Sequence, residues 1–230
     1  MRVDKEKAFV LHRRPYRNTS FIVELLTEHY GRVSVVARSA RGVKSRYRGQ
    51  LESFIPLLVS WTGRHELKNL GNIELLYMSA LLQGEALMCG FYLNELLMRL
   101  LHPHDPHPRV FSDYQQALDG LLERKPIEPL LRRFEKYLLD ELGYGLTLHR
   151  EFKNNSPINP EAFYRYIPDR GFLEDSSGDH SQLFSGQSLL ALHDDELNSE
   201  VVLKDAKRLM RWVLSFYLGS KPLRSRELLS

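Results

Sequence analysis

The spacing of hydrophobic residues changes near residue 79. Before this point, β-branched and aromatic residues recur in short runs separated by turn-forming residues, as is typical of β-strands. Six strands are predicted, over residues 8–12, 20–27, 32–38, 55–61, 65–70 and 72–78. Five or six antiparallel strands in a segment of this size predict a small Greek-key barrel. The OB-fold matches the size best, and an SH3-like barrel is the alternative.

After residue 80, apolar residues repeat at the three-to-four spacing of α-helices. Helices are predicted from Leu81 to about residue 101 and over 110–123, 126–142, 186–193 and 201–218. The first of them is apolar almost all round, which predicts a buried position. The helical period is lost over residues 144–185, apart from a short apolar segment at 164–167.

These patterns predict an α+β protein with two domains. We expect an OB-like barrel of five or six strands over residues 1–79. An all-helical domain follows over residues 80–230, with an irregular insert at about 144–185. The length of 230 residues fits two small domains, and 43% hydrophobic residues suffice for a packed core.

The cysteine content and the N-terminal residues bear on location. Cys89 is the single cysteine, which excludes an internal disulfide framework and a cysteine-rich zinc module. Residues 1–7 lack the apolar core of a signal peptide, and no run reaches 18 apolar residues. We therefore expect a soluble cytoplasmic protein without a membrane segment.

Charge is distributed unevenly along the chain. Residues 1–70 contain 14 Lys and Arg against 6 Asp and Glu, a net charge of +8. Residues 71–230 contain 18 against 23, a net charge of −5. This asymmetry indicates that the N-terminal part binds a polyanion and the remainder binds protein.

The most basic segment, residues 32–50, contains no acidic residue. Its glycines and serines predict a mobile loop between two strands, a place where OB barrels bind nucleic acid. Arginine and lysine there can displace the counterions of phosphates, although a solvated surface loop is the alternative. The candidate DNA-binding residues of the barrel are Arg13, Arg14, Arg32, Arg38, Arg41, Lys44, Arg46, Tyr47 and Arg48.

Aromatic residues are interleaved with these cations. Tyr16, Tyr30, Tyr47 and Trp61 could stack on bases. We predict that Trp61 packs in the core instead. Tyr47 is the best candidate to stack on a base, because its neighbours Arg46 and Arg48 cannot be buried unpaired.

No motif of a metal site or a catalytic centre stands out. The histidines of residues 102–107 alternate with prolines, which favours an interhelical loop over a metal site. Phosphate-binding loops, nucleophile elbows and zinc-protease motifs are absent from the sequence. We predict no metal, no cofactor and no enzymatic activity.

The predicted third helix carries two adjacent arginines, Arg132 and Arg133, beside an apolar stripe. A plain amphipathic surface is one interpretation. The other is a groove that accepts an apolar anchor while an arginine, Arg132 by preference, binds its carboxylate. Leucines of the first and third helices would form this groove: Leu96, Leu100, Leu138 and Leu142.

With these residues in view, the chain resembles the bacterial RecO recombination mediators over almost its whole length. No single motif is diagnostic, but the order and spacing of eight segments are specific. These segments are 8–12 with Pro15, 27–28 with 31–33, 37–41, 90–97, 132–135, 142–145, 217–223 and 225–228.

The resemblance implies an OB domain, a helical domain and no turnover that requires a cofactor. It further implies binding of single- and double-stranded DNA and annealing of complementary strands. The implied partners are RecR and the acidic C-terminal tail of the single-stranded-DNA-binding protein (SSB). Together they would load RecA in the RecFOR pathway. From the residue pattern of the third helix, we predict that the SSB tail binds at Arg132 and Arg133.

The sequence departs from the family pattern in two places. Ser39 stands where the family commonly has glycine, and residues 144–185 lack the four-cysteine zinc module of some relatives. Two other functions stay open. A structural RNA- or ribosome-binding module would use the same basic barrel without annealing. A metal-dependent nuclease is disfavoured, because residues 29–50 contain no carboxylate.

Overall fold

Five strands form a closed barrel in the computed structural model, which describes residues 1–77, 80–176, 182–219 and 221–227. The strands are Arg2–Tyr16 (β1), Ser20–Thr27 (β2), Gly31–Ala37 (β3), Leu57–Thr62 (β4) and Lys68–Leu75 (β5). They neighbour one another in the order β1-β2-β3-β5-β4, and β1 pairs with β4 to close the barrel. Only the pairing of β3 with β5 is parallel. This architecture confirms the predicted α+β fold with an N-terminal OB-like barrel.

Strand β1 is longer than the predicted segment of residues 8–12, because it serves two neighbours in turn. Its first half pairs with β4 and its second half pairs with β2. Pro15 lies in the second half, opposite Phe21 of β2 and beyond the part that pairs with β4. A proline, which has no N–H to donate, is tolerated where one side of a strand is unpaired.

Strand β5 replaces the two strands predicted on either side of Gly71, so the prediction of a turn there was wrong. Gly71 lies within the strand, and a Cβ atom at this position would come within 3.0 Å of the carbonyl oxygen of Ser60. Here glycine permits a close approach to β4, where the register shifts between Val59 and Trp61. Met78, the end of the second predicted strand, lies outside the described residues.

The barrel core consists of alternating strand residues, as expected for strands with one buried face. Trp61 is buried with 1% of its surface exposed, which confirms its predicted place in the core. Tyr30 packs edge-on against it, with ring centroids 5.3 Å apart.

Two helices pack against β1, namely Gly84–Leu100 (α1) and Pro108–Leu122 (α2). Asn94 of α1 donates a hydrogen bond to the carbonyl oxygen of Leu11 and accepts one from the hydroxyl of Tyr114 of α2. The ring of Phe9 contacts that of Tyr114 at 5.2 Å between centroids. The buried polar atoms are thus satisfied, and the helices are tied to the barrel.

The α1–α2 connection lies against the β2–β3 turn. The backbone N–H of His104 donates to the carbonyl oxygen of Arg32, at 2.9 Å. Gly31 has φ +66°, and a Cβ atom there would come within 2.1 Å of the carbonyl oxygen of Asp105. This contact therefore requires glycine at position 31.

The chain folds into two compact units, and one of them is formed from two separate stretches of sequence. The first combines Met1–Arg124 with the C-terminal residues from Leu223, and the second is Lys125–Pro222. The first unit thus includes α1 and α2, because both pack against the barrel. The predicted boundary at residues 79–80 marks the change of sequence pattern and stays a prediction of domain organisation.

In its described residues, the second unit contains three helices and a small sheet. The helices are Ile127–Glu141 (α3), Gly186–His193 (α4) and Glu200–Leu218 (α5). The predicted insert forms an antiparallel sheet in the order β7-β6-β8 from Phe163–Ile167 (β6), Gly171–Glu174 (β7) and Leu183–Ser185 (β8). The insert is therefore more regular than predicted. The sequence pattern did not reveal these strands because they are short.

The ends of the helices follow their sequence signals. Gly143, with φ +81°, follows the end of α3, and Tyr144 donates its N–H to the carbonyl oxygen of Leu139. A last short helix, Arg224–Glu227 (α6), belongs to the first unit. Among the helices of the described ranges, none has the length and apolar character needed to cross a membrane.

Candidate nucleic-acid interface

The segment between β3 and β4, residues 38–56, is here named the basic loop. It contains five cations and the single carboxylate of Glu52. Its backbone makes consecutive turns, in which the N–H of Gly42 donates to Ser39, that of Ser45 to Gly42 and that of Arg48 to Ser45. The segment is thus an ordered series of turns within the barrel unit.

Ser39 begins these turns in a conformation that favours glycine. Its φ of 57° lies in the left-handed region, which costs a residue with a Cβ atom about 1–2 kcal/mol. The backbone N–H of Arg41, two residues later, donates to the carbonyl oxygen of Thr19 at 2.8 Å. The loop therefore takes a path suited to glycine although serine is present.

Tyr47 attaches the basic loop to the barrel. Its side chain belongs to the barrel core with 3% exposure, and its hydroxyl donates to the carbonyl oxygens of Leu70 and Gly71, 3.1 Å from each. The guanidinium of Arg46 lies over the same ring, 4.7 Å from its centroid. The predicted stacking of a base on Tyr47 conflicts with this burial, because the ring points inward although Arg46 and Arg48 on either side of it are exposed. A base cannot stack on this ring in the present conformation.

The five cations of the basic loop are exposed: Arg38, Arg41, Lys44, Arg46 and Arg48. Within the described part of the chain, no hydrogen bond or ion pair joins the side chain of Lys44 or Arg48 to another residue. Their charges are therefore available to a ligand.

Two further arginines of the loop bond to neutral oxygen atoms. Arg38 donates from Nη2 to Oδ1 of Asn69 at 2.8 Å, and Arg41 donates from Nη1 to the carbonyl oxygen of Asn18 at 3.4 Å. Neutral acceptors orient a guanidinium but leave its positive charge uncompensated. The basic loop therefore presents a field that attracts phosphates.

Arg13 and Arg14 are neighbours on β1, and Arg13 contacts the basic loop. Arg13 donates from Nη1 to the carbonyl oxygen of Leu51 at 3.0 Å and to Oε1 of Glu52 at 2.8 Å. Arg14 is exposed and pairs in the strand register with Ile22. Glu52 thus compensates Arg13 in part, and the positive charge of Arg14 faces solvent.

Arg32 is less accessible than its place in the basic run predicted. Its side chain is 15% exposed, and Nη1 lies 3.8 Å from Oε2 of Glu24 and 3.8 Å from Sδ of Met98. A residue in this position contributes to the packing of α1 on the barrel. Its predicted contact with DNA stays a prediction.

A cavity lies between the basic loop, β1 and β2. It is largely open to solvent and has a volume of about 450 Å³, and Arg13, Arg41 and Arg48 are among the residues that line it. Phe21 and Val43 also line it, although sequence reasoning missed them. No signal in the sequence pointed to them. Val43 stands out only in the structure, where an apolar side chain is 86% exposed.

Of the two arginines on α3, Arg132 is buried. Its side chain is 4% exposed, and Nη2 donates to Oε1 of Glu135 at 2.7 Å. Its Nε and Nη1 atoms are buried without a hydrogen-bond partner among the described residues. The preference for Arg132 over Arg133 as the ligand-binding arginine therefore conflicts with its burial.

Arg133 is the accessible arginine of α3, with 59% of its side chain exposed. Its Nε lies 3.7 Å from Oδ2 of Asp195, which also accepts a hydrogen bond from Tyr137. This hydrogen bond, together with burial and the charge of Asp195, raises the pKa of Tyr137 above its ordinary value. Lys136 Nζ bonds to the other oxygen of Asp195, at 2.5 Å.

The four leucines predicted to form a groove differ in exposure. Leu96 on α1 and Leu138 on α3 are buried, with 0% and 1% exposed. Leu100 and Leu142 are half-buried. The binding role of these leucines stays a prediction, and only the half-buried pair is open to solvent.

Among the described residues, no group of three or more His, Cys, Asp or Glu side chains is placed to bind a metal ion. His107 Nε2 lies 3.4 Å from Oδ2 of Asp105. The absence of a metal and of a cofactor stays a prediction.

Comparison with known proteins shows the family. Residues 1–78 match the family description "Recombination protein O N terminal", and residues 81–227 match "Recombination protein O C terminal". This chain belongs to the RecO family. It is 56% identical to the DNA repair protein RecO of Coxiella burnetii (strain RSA 493 / Nine Mile phase I), over 99% of this chain and 98% of that relative.

Further relatives give the same result at lower identity. The DNA repair protein RecO of Nitrosospira multiformis is 45% identical over 100% of this chain and 98% of its own length. That of Methylococcus capsulatus is 44% identical over 99% and 93%. Membership in the RecO family supports a role in DNA repair and recombination, as the sequence resemblance predicted.

Proposed function

We propose that this RecO protein is a recombination mediator that binds single- and double-stranded DNA through the basic loop and anneals complementary strands. The observation that carries the proposal is the set of five exposed cations on an ordered loop. Arg38 and Arg41 bond there only to neutral oxygens, and Lys44 and Arg48 have no ion pair with a described residue. Each cation that contacts a phosphate releases counterions, which provides the free energy of binding.

Binding of this kind is independent of base sequence, because phosphates carry no sequence information. An annealing protein has this requirement, since it must hold any strand. Tyr47 fixes the loop to the barrel, so the cations keep their spacing when the loop binds DNA. We propose that annealing needs no nucleotide, no metal and no catalytic turnover.

The tail of SSB is the proposed partner of α3. Such a tail, as the family resemblance implies, is acidic and ends in an aromatic anchor and a free carboxylate. Arg133 is the arginine that a carboxylate can reach in this conformation, so we assign it the role first predicted for Arg132. Arg132 would support the site from beneath through its pair with Glu135. RecR and RecA are the remaining proposed partners, in the cytoplasm and at the nucleoid.

An annealing assay with a metal-chelator control tests the function. We expect annealing of complementary strands that is indifferent to the chelator. Strand scission that depends on metal would instead indicate a nuclease. DNA or RNA binding without annealing would indicate the structural RNA- or ribosome-binding module.

Calorimetric titration of an SSB tail peptide tests the partner site. We expect Arg133→Ala to weaken binding about 10-fold or more, because it removes a charge-assisted hydrogen bond to a carboxylate. Lys204→Ala, an exposed cation of α5, is the matched control and should leave affinity unchanged. Equal affinity in all three proteins would move the tail site away from α3.

A further inference from the structure

The cavity beside the basic loop has the size and lining of a ligand site. Its 450 Å³ falls within the range of about 300–1,000 Å³ that is typical of sites for small molecules. No acidic residue lines it. The lining combines three arginines with apolar side chains: Arg13, Arg41, Arg48, Phe21, Val43 and Leu51.

One wall of the cavity is flat and fixed. The ring of Phe21 packs against the barrel core, and the guanidinium carbon of Arg13 lies 5.5 Å from its centroid. Arg13 is held by the carbonyl oxygen of Leu51 and by Glu52. Nucleobases stack on aromatic rings and on guanidinium planes, and this wall presents the guanidinium of Arg13 over the ring of Phe21 as one preorganised pair.

The opposite side of the cavity is cationic and open. Arg41 makes one long hydrogen bond, at 3.4 Å, and the side chain of Arg48 has no partner among the described residues. Val43 projects beside them with 86% of its surface exposed. An anion can therefore approach the two arginines while an apolar group contacts Val43.

The combination of arginines and apolar side chains in the lining indicates which class of ligand the cavity binds. A purely apolar ligand would desolvate Arg41 and Arg48 without a compensating carboxylate, which is costly. A small inorganic anion would leave Phe21 and Val43 unused. A nucleotide carries both a negatively charged phosphate and a flat base, so it matches both parts of the lining.

We propose that this cavity holds one unstacked nucleotide of a bound single strand. The base lies against Phe21 and Arg13, and the adjoining phosphates lie at Arg41 and Arg48. The inference rests on the proposed function, in which the basic loop binds DNA, and adds a direct contact with a base. Because every base has a flat face, this contact is tolerant of sequence.

The test compares two strands of equal length, about 16 nucleotides, which is the upper end of what one OB fold covers. One strand is thymidine throughout, and the other has abasic residues with the same phosphates. Fluorescence anisotropy measures the affinity of the full chain for each strand. We expect wild type to bind the thymidine strand about 5-fold or more tightly than the abasic strand.

Variants separate base contact from phosphate contact. Phe21→Ala should bring the affinity ratio of the two strands close to one while changing the affinity for the abasic strand by less than about 2-fold. Val43→Ser should lower the ratio in the same direction, and its exposed position leaves the fold intact if Phe21→Ala does not fold. Arg38→Ala, outside the cavity, should weaken both strands equally and keep the ratio.

The outcomes distinguish the two proposals. A ratio near one in wild type, or a ratio that neither cavity variant lowers, overturns base capture while leaving the DNA-binding function in place. Failure of wild type to bind either strand overturns the proposed function itself, and base capture with it.

Discussion

The basic loop and helix α3 both carry arginines at close spacing, yet they present charge differently. Arg38 and Arg41 of the loop bond to neutral oxygens, whereas Arg132 and Arg133 of α3 lie beside the carboxylates of Glu135 and Asp195. An acid three residues along a helix lies on the same face and neutralises its arginine. The comparison teaches that the charge available to a ligand depends on nearby acids more than on the number of arginines.

Removing a paired arginine should show the largest effect. We expect Arg132→Ala to lower the free energy of unfolding by about 3–5 kcal/mol, because it removes one partner of a buried ion pair. Arg48→Ala, a change of the same type in the loop, should stay within about 0.5 kcal/mol. Urea denaturation measures both.

The double variant Arg132→Met with Glu135→Leu is the control for packing. It should recover most of the lost stability, since apolar residues of similar volume can replace a buried ion pair. A loss below about 1 kcal/mol in Arg132→Ala would mean that α3 presents its charge as the loop does.

Reversing the charge of three loop arginines should have the next largest effect, on DNA rather than on stability. We expect Arg38, Arg41 and Arg46 changed to Glu to weaken single-strand binding about 10²- to 10³-fold at about 50 mM salt. The log–log salt slope of the wild type should be about −3 to −4 and should become shallower by about 2 in the variant. A titration of affinity against salt measures both quantities.

The matched control reverses three exposed cations of the second unit, Arg170, Lys204 and Arg211. It changes the net charge of the protein equally without touching the basic loop. An effect as large as that of the loop variant would show that overall charge, and not the loop, governs binding.

Glu95 is a carboxylate that accepts hydrogen bonds from neutral donors, and its effect on stability should depend on pH. Burial would raise the pKa of Glu95, but hydrogen bonds from Ser225 and Arg224 and the charge of Arg99 outweigh it and lower the pKa below 4.5. A lowered pKa stabilises the fold above pH 4.5, and this stability is lost as pH falls through the lower folded value. We expect Glu95→Gln to cost about 2 kcal/mol at neutral pH and to flatten the acid dependence below pH 4.5.

Unfolding measured between neutral and acid pH in wild type and in Glu95→Gln checks this expectation. Glu85→Gln, at an exposed position in the first turn of the same helix, is the control. A Glu95→Gln protein as sensitive to acid as the wild type would assign the acid dependence to other groups.

The smallest expected effect concerns the backbone of the basic loop. Ser39→Gly should raise the free energy of unfolding by about 0.5–1 kcal/mol, because glycine adopts φ 57° without the strain of a Cβ atom. Ser39→Ala keeps the strain and should give no gain. Stabilisation without loss of DNA affinity would show that the loop already has its binding conformation, whereas a gain in the alanine variant would contradict the argument from φ.

The sequence predicted well what depends on periodicity and poorly what depends on a close approach. Alternating runs located the strands β2, β3 and β4, and three-to-four spacing located the helices. Gly71 was misread as a turn residue, because only the neighbouring Ser60 explains why a glycine stands inside a strand.

The candidate site shows the same limit. Five of the six cations in the acid-free run are exposed, whereas the Arg32 side chain is 15% exposed because it lies beside Glu24 and Met98. The burial of Tyr47 was not predictable, because it depends on carbonyl oxygens of β5 more than 20 residues away. Likewise, the spacing of Arg132 and Glu135 permits a pair but cannot show that the pair is buried.

The attachment of α6 to α1 has a consequence for the order of events during synthesis. Glu95 accepts hydrogen bonds from the backbone N–H groups of Arg224 and Ser225 and from the hydroxyl of Ser225. The first unit is therefore built from two stretches of the chain, one translated before the second unit and one translated after it. A barrel formed early must wait for the whole second unit to be translated before α6 can join it. A ribosome-stalled chain that ends at residue 222 would consequently expose the α6-binding surface of α1 to other proteins.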